Sequence, residues 1–163
     1  RSFMPQNQKM RDLVANMKLI PLKSLIAGQR ILFCDDSIVR GTQLKDNVED
    51  LFAGGAAEVH MRIACPTLIH PCDFLHFSTS RSSLDLAGRR AITELEGRDH
   101  PDDAVMREYA TAGTPRHQAM VDAIRRRLHL TTLEYQTMDD LVAAIGLPKE
   151  KLCTHCWDGS SNF

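Results

Sequence analysis

The sequence predicts an α/β fold with a parallel sheet, and three observations carry that prediction. A short apolar run, Ile31-Leu32-Phe33-Cys34, stops abruptly at Asp35-Asp36. Leu44, Val48, Leu51 and Phe52 then recur at helical spacing before Gly54-Gly55. Beyond them Val59, Met61, Ile63 and Cys65 alternate with Glu58, His60, Arg62 and Ala64 until Pro66 closes the run. Strand, helix and strand within about 35 residues make a βαβ unit, whose economical form is a parallel pair joined by a right-handed crossover.

Each element follows from its local pattern. Residues Gln6 to Lys18 are helix-competent but have a weak apolar face, and Arg1, Lys9, Arg11 and Lys18 outnumber the single acid Asp12. The continuous run Ile31 to Cys34 reads as a strand buried on both faces, with Asp35 and Asp36 at its carboxyl edge. Ser37 to Gly41 is a loop, and the helix that follows stops at Gly54-Gly55. Downstream, Leu84 to Leu95 reads as a helix and Gly97 to Asp103 as a loop holding His100, Pro101 and paired acids. Met120, Ile124 and Leu128 recur every fourth residue, so a helix is expected over Arg116 to Leu128. Thr131 to Gln136 is β-prone. Met138 to Ile145 is a short helix stopped by Gly146 and Pro148. The tail from Lys149 to Phe163, with Cys153 and Cys156, does not read as core structure. Cys34 and Cys65 are expected to be buried on strand faces.

Composition narrows the function. The chain has 163 residues, 43% of them hydrophobic and 25% charged, which suits one soluble globular unit. A formal net charge of -1 opposes general attraction to nucleic acid and confines any phosphate site to a local pocket. No apolar run approaches the roughly 20 residues that span a bilayer, and no secretory-signal stretch opens the chain. A cytoplasmic protein with no membrane partner is expected. Five cysteines fit a disulfide framework poorly, leaving metal binding or burial. The first residue is Arg1, not methionine, as expected of a fragment.

The richest chemistry lies after the first strand. Taken alone, two adjacent carboxylates at a strand exit are more often a turn cap than a site. Here, however, the loop Ser37-Ile38-Val39-Arg40-Gly41-Thr42 adds hydroxyls, backbone N–H groups, a guanidinium and the positive end of a helix dipole, all suited to a phosphate monoester. Asp35 and Asp36 suit the opposite task of accepting hydrogen bonds from sugar hydroxyls and holding a divalent cation. A ribose phosphate needs both.

The full string Ile31-Leu32-Phe33-Cys34-Asp35-Asp36-Ser37-Ile38-Val39-Arg40-Gly41-Thr42-Gln43 resembles the phosphoribosylpyrophosphate signature of type I phosphoribosyltransferases. Asp-Asp-Ser-Ile-Val-Arg-Gly-Thr resembles the version found in the glutamine phosphoribosylpyrophosphate amidotransferase family, which commonly has a second Thr at the position of Gln43. Arg1-Ser2-Phe3-Met4-Pro5 through Gln8, Arg11 and Lys18 is similar to that family's Arg-Thr-Phe-Ile segment and the catalytic loop that folds over pyrophosphate. The stretch from Ala57 to Thr79, with the Glu-Val-His-Met-Arg-Ile strand and a His-Pro-Cys string, matches as well. The similarity covers residues 1–97 and 128–159, and residues 98–127 read as an insertion with no assigned function.

Cys153 and Cys156 form a Cys-x-x-Cys pair, a spacing that by itself serves a redox dithiol, a zinc half-site, an iron–sulfur site or no chemistry at all. The surrounding Leu152-Cys153-Thr154-His155-Cys156-Trp157-Asp158-Gly159 resembles the iron–sulfur branch of the family, with Trp157 in place of Phe and no Tyr-Pro after Gly159. That resemblance implies Cys72 as a third cluster ligand and a fourth ligand upstream of this sequence. His70 and His155 could bind metal but read as exposed loop histidines.

What the resemblance implies is a type I phosphoribosyltransferase-like parallel sheet flanked by helices over residues 1–148, with an irregular cysteine-containing tail over residues 149–163. It implies catalytic and magnesium-binding roles for Asp35 and Asp36, substrate binding by Asp35 to Thr42, and a 4Fe-4S cluster on Cys72, Cys153 and Cys156. The implied reaction is displacement of pyrophosphate from phosphoribosyl pyrophosphate by ammonia, giving phosphoribosylamine in the first step of purine synthesis. The glutaminase that releases the ammonia from glutamine is an N-terminal domain with a cysteine at its first residue, expected to be absent here, so the chain alone is expected to be inactive with glutamine. Inhibition by purine nucleotides and assembly into homo-oligomers are further implications. Two alternatives stay open: a salvage phosphoribosyltransferase acting on a base, and a non-catalytic ribose-phosphate-binding regulator.

Overall fold

The computed structural model describes residues 22–72 and 83–160. The segments resembling the pyrophosphate loop, Arg1 to Lys18, and the end of the His-Pro-Cys match lie outside the described residues. In chain order the elements are α1 (Lys23–Ile26), β1 (Arg30–Asp35), α2 (Thr42–Ala53), β2 (Glu58–Ile63), α3 (Ala87–Glu96), α4 (Asp103–Ala110), α5 (Pro115–Arg127), β3 (Thr132–Tyr135), α6 (Met138–Ile145) and α7 (His155–Asp158). Single 3-10 turns cover Ser83–Asp85 and Lys149–Lys151. The sheet has the order β1-β2-β3 and both pairings are parallel, with Ile31 opposite Val59, Phe33 opposite Met61, and Ile63 opposite both Asp35 and Tyr135. The predicted βαβ unit is present. So are the helix over 138–145, with its predicted limits, and the strand near 131–136. Among the described residues no helix is long and apolar enough to cross a membrane.

Alternation on β2 builds the core. Val59, Met61 and Ile63 are buried while Glu58, His60 and Arg62 are not, as period-two geometry requires when one face of a sheet is covered. Leu133 of β3 continues the buried face beside Met61, and in the same core lie Val48 and Leu51 of α2, Ala91 and Ile92 of α3, Met106 and Tyr109 of α4, and Met120 and Ile124 of α5. The opposite face carries polar pairs within β2 and across to β3. His60 bonds Glu58 at 2.8 Å and Thr132 at 2.9 Å, and Arg62 meets Glu134 at 3.1 Å.

One expectation is corrected and one helix is added. Strand β1 is not buried on both faces: Ile31 and Phe33 face the core, whereas Leu32 is 61% exposed and Cys34 is also exposed. Among the described residues β1 pairs only with β2, and its second face has no packed layer, so alternate residues reach solvent. The loop expected over Gly97 to Asp103 ends where an eight-residue helix, α4, begins at Asp103, an element that the sequence pattern does not announce. Asp102 in extended conformation precedes it, and its apolar residues Met106 and Tyr109 are buried. Residues 103–127 therefore form a helical pair that contributes to the core.

The tail is more ordered than its composition suggests. Ile69 N–H and His70 N–H donate to the Cys156 carbonyl at 2.9 and 3.1 Å, Thr154 is buried, and Lys149 pairs with Asp158 at 2.8 Å.

Close packing makes one glycine indispensable to this arrangement. A Cβ on Gly88 would lie 2.5 Å from the Leu68 carbonyl oxygen and 2.8 Å from Thr67 Cγ2. A backbone atom cannot move aside without dragging the 67–69 segment. Gly88→Ala is expected to destabilise the fold by about 1–3 kcal/mol through overpacking, read as a lower urea midpoint. An unchanged midpoint would show that α3 shifts freely on that segment.

Candidate ribose-phosphate site

Strand β1 delivers Asp35 to the carboxyl edge of the sheet, where its carbonyl accepts a hydrogen bond from Ala64 N–H at 2.9 Å, just beyond the end of β2. Asp36 N–H donates to Asp35 Oδ1 at 2.9 Å, and both residues are exposed. Partial burial raises the Asp35 carboxyl above the ordinary carboxylate range; the Asp36 N–H opposes the shift, while the Asp36 carboxyl adds to it. Crowded carboxylates of this kind favour a cation or hydroxyl donors as neighbours.

The loop that follows is pinned. Ile38 is 4% exposed, so its side chain anchors the loop in the core and leaves only its backbone for a ligand. The Val39 carbonyl accepts from Ala87 N–H at 2.8 Å. Gly41, at φ 76° and ψ -1°, is the N-cap of α2, a left-handed conformation that favours glycine. No side chain caps α2, and its first turn contains no acid. Its leading N–H groups and dipole are thus presented beside the exposed Thr42. Arg40 is 3.7 Å from Asp85, and both side chains are about half exposed. An exposed pair of this kind is worth only about 0–1 kcal/mol, so a phosphate dianion can draw the guanidinium away. Ser37 lies half-buried between the acidic pair and Ile38. The structure therefore places Asp35 through Thr42 at one corner of the sheet. Asp85, Ala87 and Leu128, which complete that corner, had no local signal in the sequence: Leu128 read only as the end of an apolar helix stripe.

The cysteine residues are only partly gathered. Burial, then contact with Cys72, then the Cys72 and Cys153 charges push the Cys156 thiol up to about 12. Cys72 and Cys156 are thus neighbours, whereas Cys153 is exposed. Among the described residues no three His, Cys, Asp or Glu side chains form a group able to hold a metal ion. His70 and His155, expected to be exposed, are half-buried with ring centroids 5.6 Å apart. Burial first, then the His155 and Arg89 charges, disfavour the His70 imidazolium. Cys65 is half-buried, and burial raises its thiol to about 11 against the opposing effect of Trp157.

These environments order the thiols by reactivity. At pH 8 only about one part in a thousand or less of Cys65 and Cys156 is thiolate, the form that reacts. Iodoacetamide is expected to label exposed Cys34 and Cys153 well before Cys65 and Cys156, as followed by peptide mass spectrometry. Labelling of Cys156 ahead of Cys34 would contradict the packing of the tail.

A cavity of about 450 Å³ opens elsewhere, between Arg107, Thr111, Thr137, Met138 and Lys149, and includes no residue of the 37–42 loop.

The parallel sheet, its flanking helices and the strand-loop-helix corner define the class: an α/β chain with the fold of a phosphoribosyltransferase domain. The particular kinship comes from comparison with known proteins. The chain is 33% identical over 159 residues to amidophosphoribosyltransferase from Mycobacterium tuberculosis, covering 98% of this chain and 25% of the relative. It is 30% identical over 159 residues to the enzyme of that name from Methanothermobacter thermautotrophicus, covering 98% and 27%, and 44% identical over 95 residues to that of Synechococcus elongatus, covering 58% and 19%. Among solved structures, glutamine phosphoribosylpyrophosphate amidotransferase from B. subtilis, complexed with ADP and GMP, superposes with a TM-score of 0.60 at 25% identity, covering 100% of this chain and 31% of that one. No protein-family model matches. The chain is thus related over 98% of its length to the amidophosphoribosyltransferases and matches their C-terminal phosphoribosyltransferase part. It spans about a quarter of the length of the curated relatives it matches.

Proposed function

We propose that this chain is the phosphoribosyltransferase portion of an amidophosphoribosyltransferase, which forms 5-phosphoribosylamine from phosphoribosyl pyrophosphate and glutamine-derived ammonia in the first step of de novo purine synthesis. One observation carries the reading: a crowded acidic pair at a strand exit leads through a pinned loop into an uncapped helix N-terminus. That corner offers acceptors to ribose hydroxyls and donors to a 5′-phosphate within one turn of chain, and the kinship with amidophosphoribosyltransferases supports it.

In this reading the new C–N bond forms at ribose carbon 1 as the bond to pyrophosphate breaks. Positive charge develops on the ring, so the protein's task is electrostatic positioning. Asp35 and Asp36 accept hydrogen bonds from the ribose hydroxyls and stabilise the ring charge. Backbone N–H groups of residues 37–42, the Ser37 and Thr42 hydroxyls and Arg40 hold the phosphate. Ammonia attacks as a neutral nucleophile and needs no general base from this chain to form the bond. Magnesium, when bound at Asp35 and Asp36, supplies charge neutralisation for the departing pyrophosphate.

The proposed 4Fe-4S cluster would be held by Cys72, Cys153 and Cys156, which among the described residues are not gathered as a three-ligand group. The contact between Cys72 and Cys156 fits such a group, with a fourth ligand supplied from outside these residues. Bound there, the cluster would cross-link the tail to the 69–72 segment. The ammonia source is a glutaminase domain elsewhere in the complete protein. Homo-oligomer assembly, cytoplasmic location and inhibition by purine nucleotides belong to the same reading, the last supported by the ADP and GMP complex of the B. subtilis neighbour.

The test is pyrophosphate release by the complete protein from phosphoribosyl pyrophosphate and magnesium, with glutamine or ammonia as nitrogen donor. Release dependent on a nitrogen donor is expected. Substrate binding with no release from either donor would replace the enzyme with a ribose-phosphate-binding regulator.

A further inference from the structure

We propose that the turn Leu128-His129, at the end of α5, is a positioning element that sets substrate affinity by holding the ribose-phosphate loop and α2 from behind; the proposal rests on the function assigned to that loop above. Two adjacent residues reach the same strand-loop-helix corner. Leu128 is 3% exposed, and its Cδ2 atom lies 3.0 Å, and its Cδ1 atom 3.7 Å, from where a Cβ of Gly41 would stand. Ile38 Cγ2 lies 3.6 Å from the same point, so Leu128 and the loop's own anchor close on the backbone of Gly41 together. One residue further on, His129 Nδ1 is 3.1 Å from Glu49 Oε1, midway along α2.

The turn itself is fixed. His129 is the non-glycine residue at positive φ, 58°, among the described residues. The conformation is held by His129 N–H donating to Arg126 carbonyl at 3.2 Å and Leu130 N–H donating to Arg125 carbonyl at 3.1 Å. Paired closures of this type end a helix in the left-handed region and direct the side chains around the turn. Arg125 reinforces it by donating from Nη1 to the Leu130 carbonyl at 3.0 Å.

The consequence is specific. The N–H groups of residues 37–42 bind phosphate only if the loop keeps one shape, and Gly41 is where that shape bends into the helix. Removing the Leu128 side chain leaves the acidic pair and the loop sequence intact but takes away the surface on which Gly41 and Ile38 rest. Binding of the phosphate, made equally in ground and transition states, should suffer while the chemical step does not.

The experiment uses the complete protein with Leu128→Ala, Leu128→Met and, as a control from the same helix face, Met120→Ala. Met120 is fully buried but has no contact with Gly41 among those given above. Leu128→Ala is expected to raise KM for phosphoribosyl pyrophosphate about tenfold with kcat within about twofold, and Leu128→Met to restore KM. Amide hydrogen exchange at residues 37–42, measured without ligand, is expected to quicken about tenfold in Leu128→Ala only. Met120→Ala is expected to lower the melting temperature while leaving KM and loop exchange unchanged. The proposal is overturned if a folded Leu128→Ala protein keeps both KM and loop exchange, or if Met120→Ala changes them equally. A wild-type protein that neither binds nor turns over the substrate would sink the functional reading, and loop exchange would then decide the positioning role by itself.

Discussion

The complete protein carrying Asp35→Asn and Asp36→Asn is expected to lose pyrophosphate release by about 10²- to 10⁴-fold while remaining folded. Both side chains are exposed, and the internal contact of Asp35, acceptance of Asp36 N–H at 2.9 Å, can be kept by an asparagine oxygen. What disappears is charge. Hydrogen bonds to charged groups contribute about 1.5–3 kcal/mol each, so two of them correspond to about 3–6 kcal/mol of transition-state stabilisation. The loss should appear in kcat as well as in KM, because the ring becomes more positive during bond cleavage. Thermal unfolding of the variant should match that of the wild type. A doubly substituted protein that kept more than about a tenth of the activity would remove the acidic pair from the mechanism.

Substitution of Gly41 by alanine should have the second largest effect, and the reason is conformational. At φ 76° a residue with a Cβ is strained by about 1–2 kcal/mol. The new methyl would also stand 3.0 Å from Leu128 Cδ2, but that atom ends a side chain and can give way. Backbone strain is therefore the larger cost. Rotation of the 40–41 peptide would relieve it and would reorient the N–H groups at the start of α2. Binding of ribose 5-phosphate by calorimetry should weaken at least about tenfold. A Gly41→Ala, Leu128→Val double variant, compared with Leu128→Val alone, separates the two causes. Crowding as the main cause predicts recovery of affinity, whereas strain at φ 76° predicts none, and the second result is expected.

These two substitutions also show how differently parts of the site were legible. The acidic pair stood out because an apolar strand run ended on it and a helical repeat began a few residues later, all within one stretch of sequence. Periods of two and 3.6 residues report which face of an element is apolar, and here they located α2, β2 and α5, whereas β1 was read from a continuous apolar run. They do not report whether a second layer covers the other face. The run Ile31 to Cys34 is compatible with a central strand and with an edge, and the structure leaves Leu32 and Cys34 exposed. Helix α4 escaped notice for a related reason: in eight residues only Met106 and Tyr109 are buried, too few for a repeat to register, and Pro101 with Asp102 and Asp103 looked like loop.

By itself, then, the sequence determined the order strand, acidic pair, loop and helix, together with the residue types offered to a sugar phosphate, because each depends on neighbours along the chain. Tertiary structure decided that Val39 is held by Ala87, that Leu128 and His129 brace the loop and its helix, and that Cys72 meets Cys156. Those contacts join segments far apart in the chain. Such pairings are selected by the mutual packing of sheet and helices around one core, and no local period encodes them.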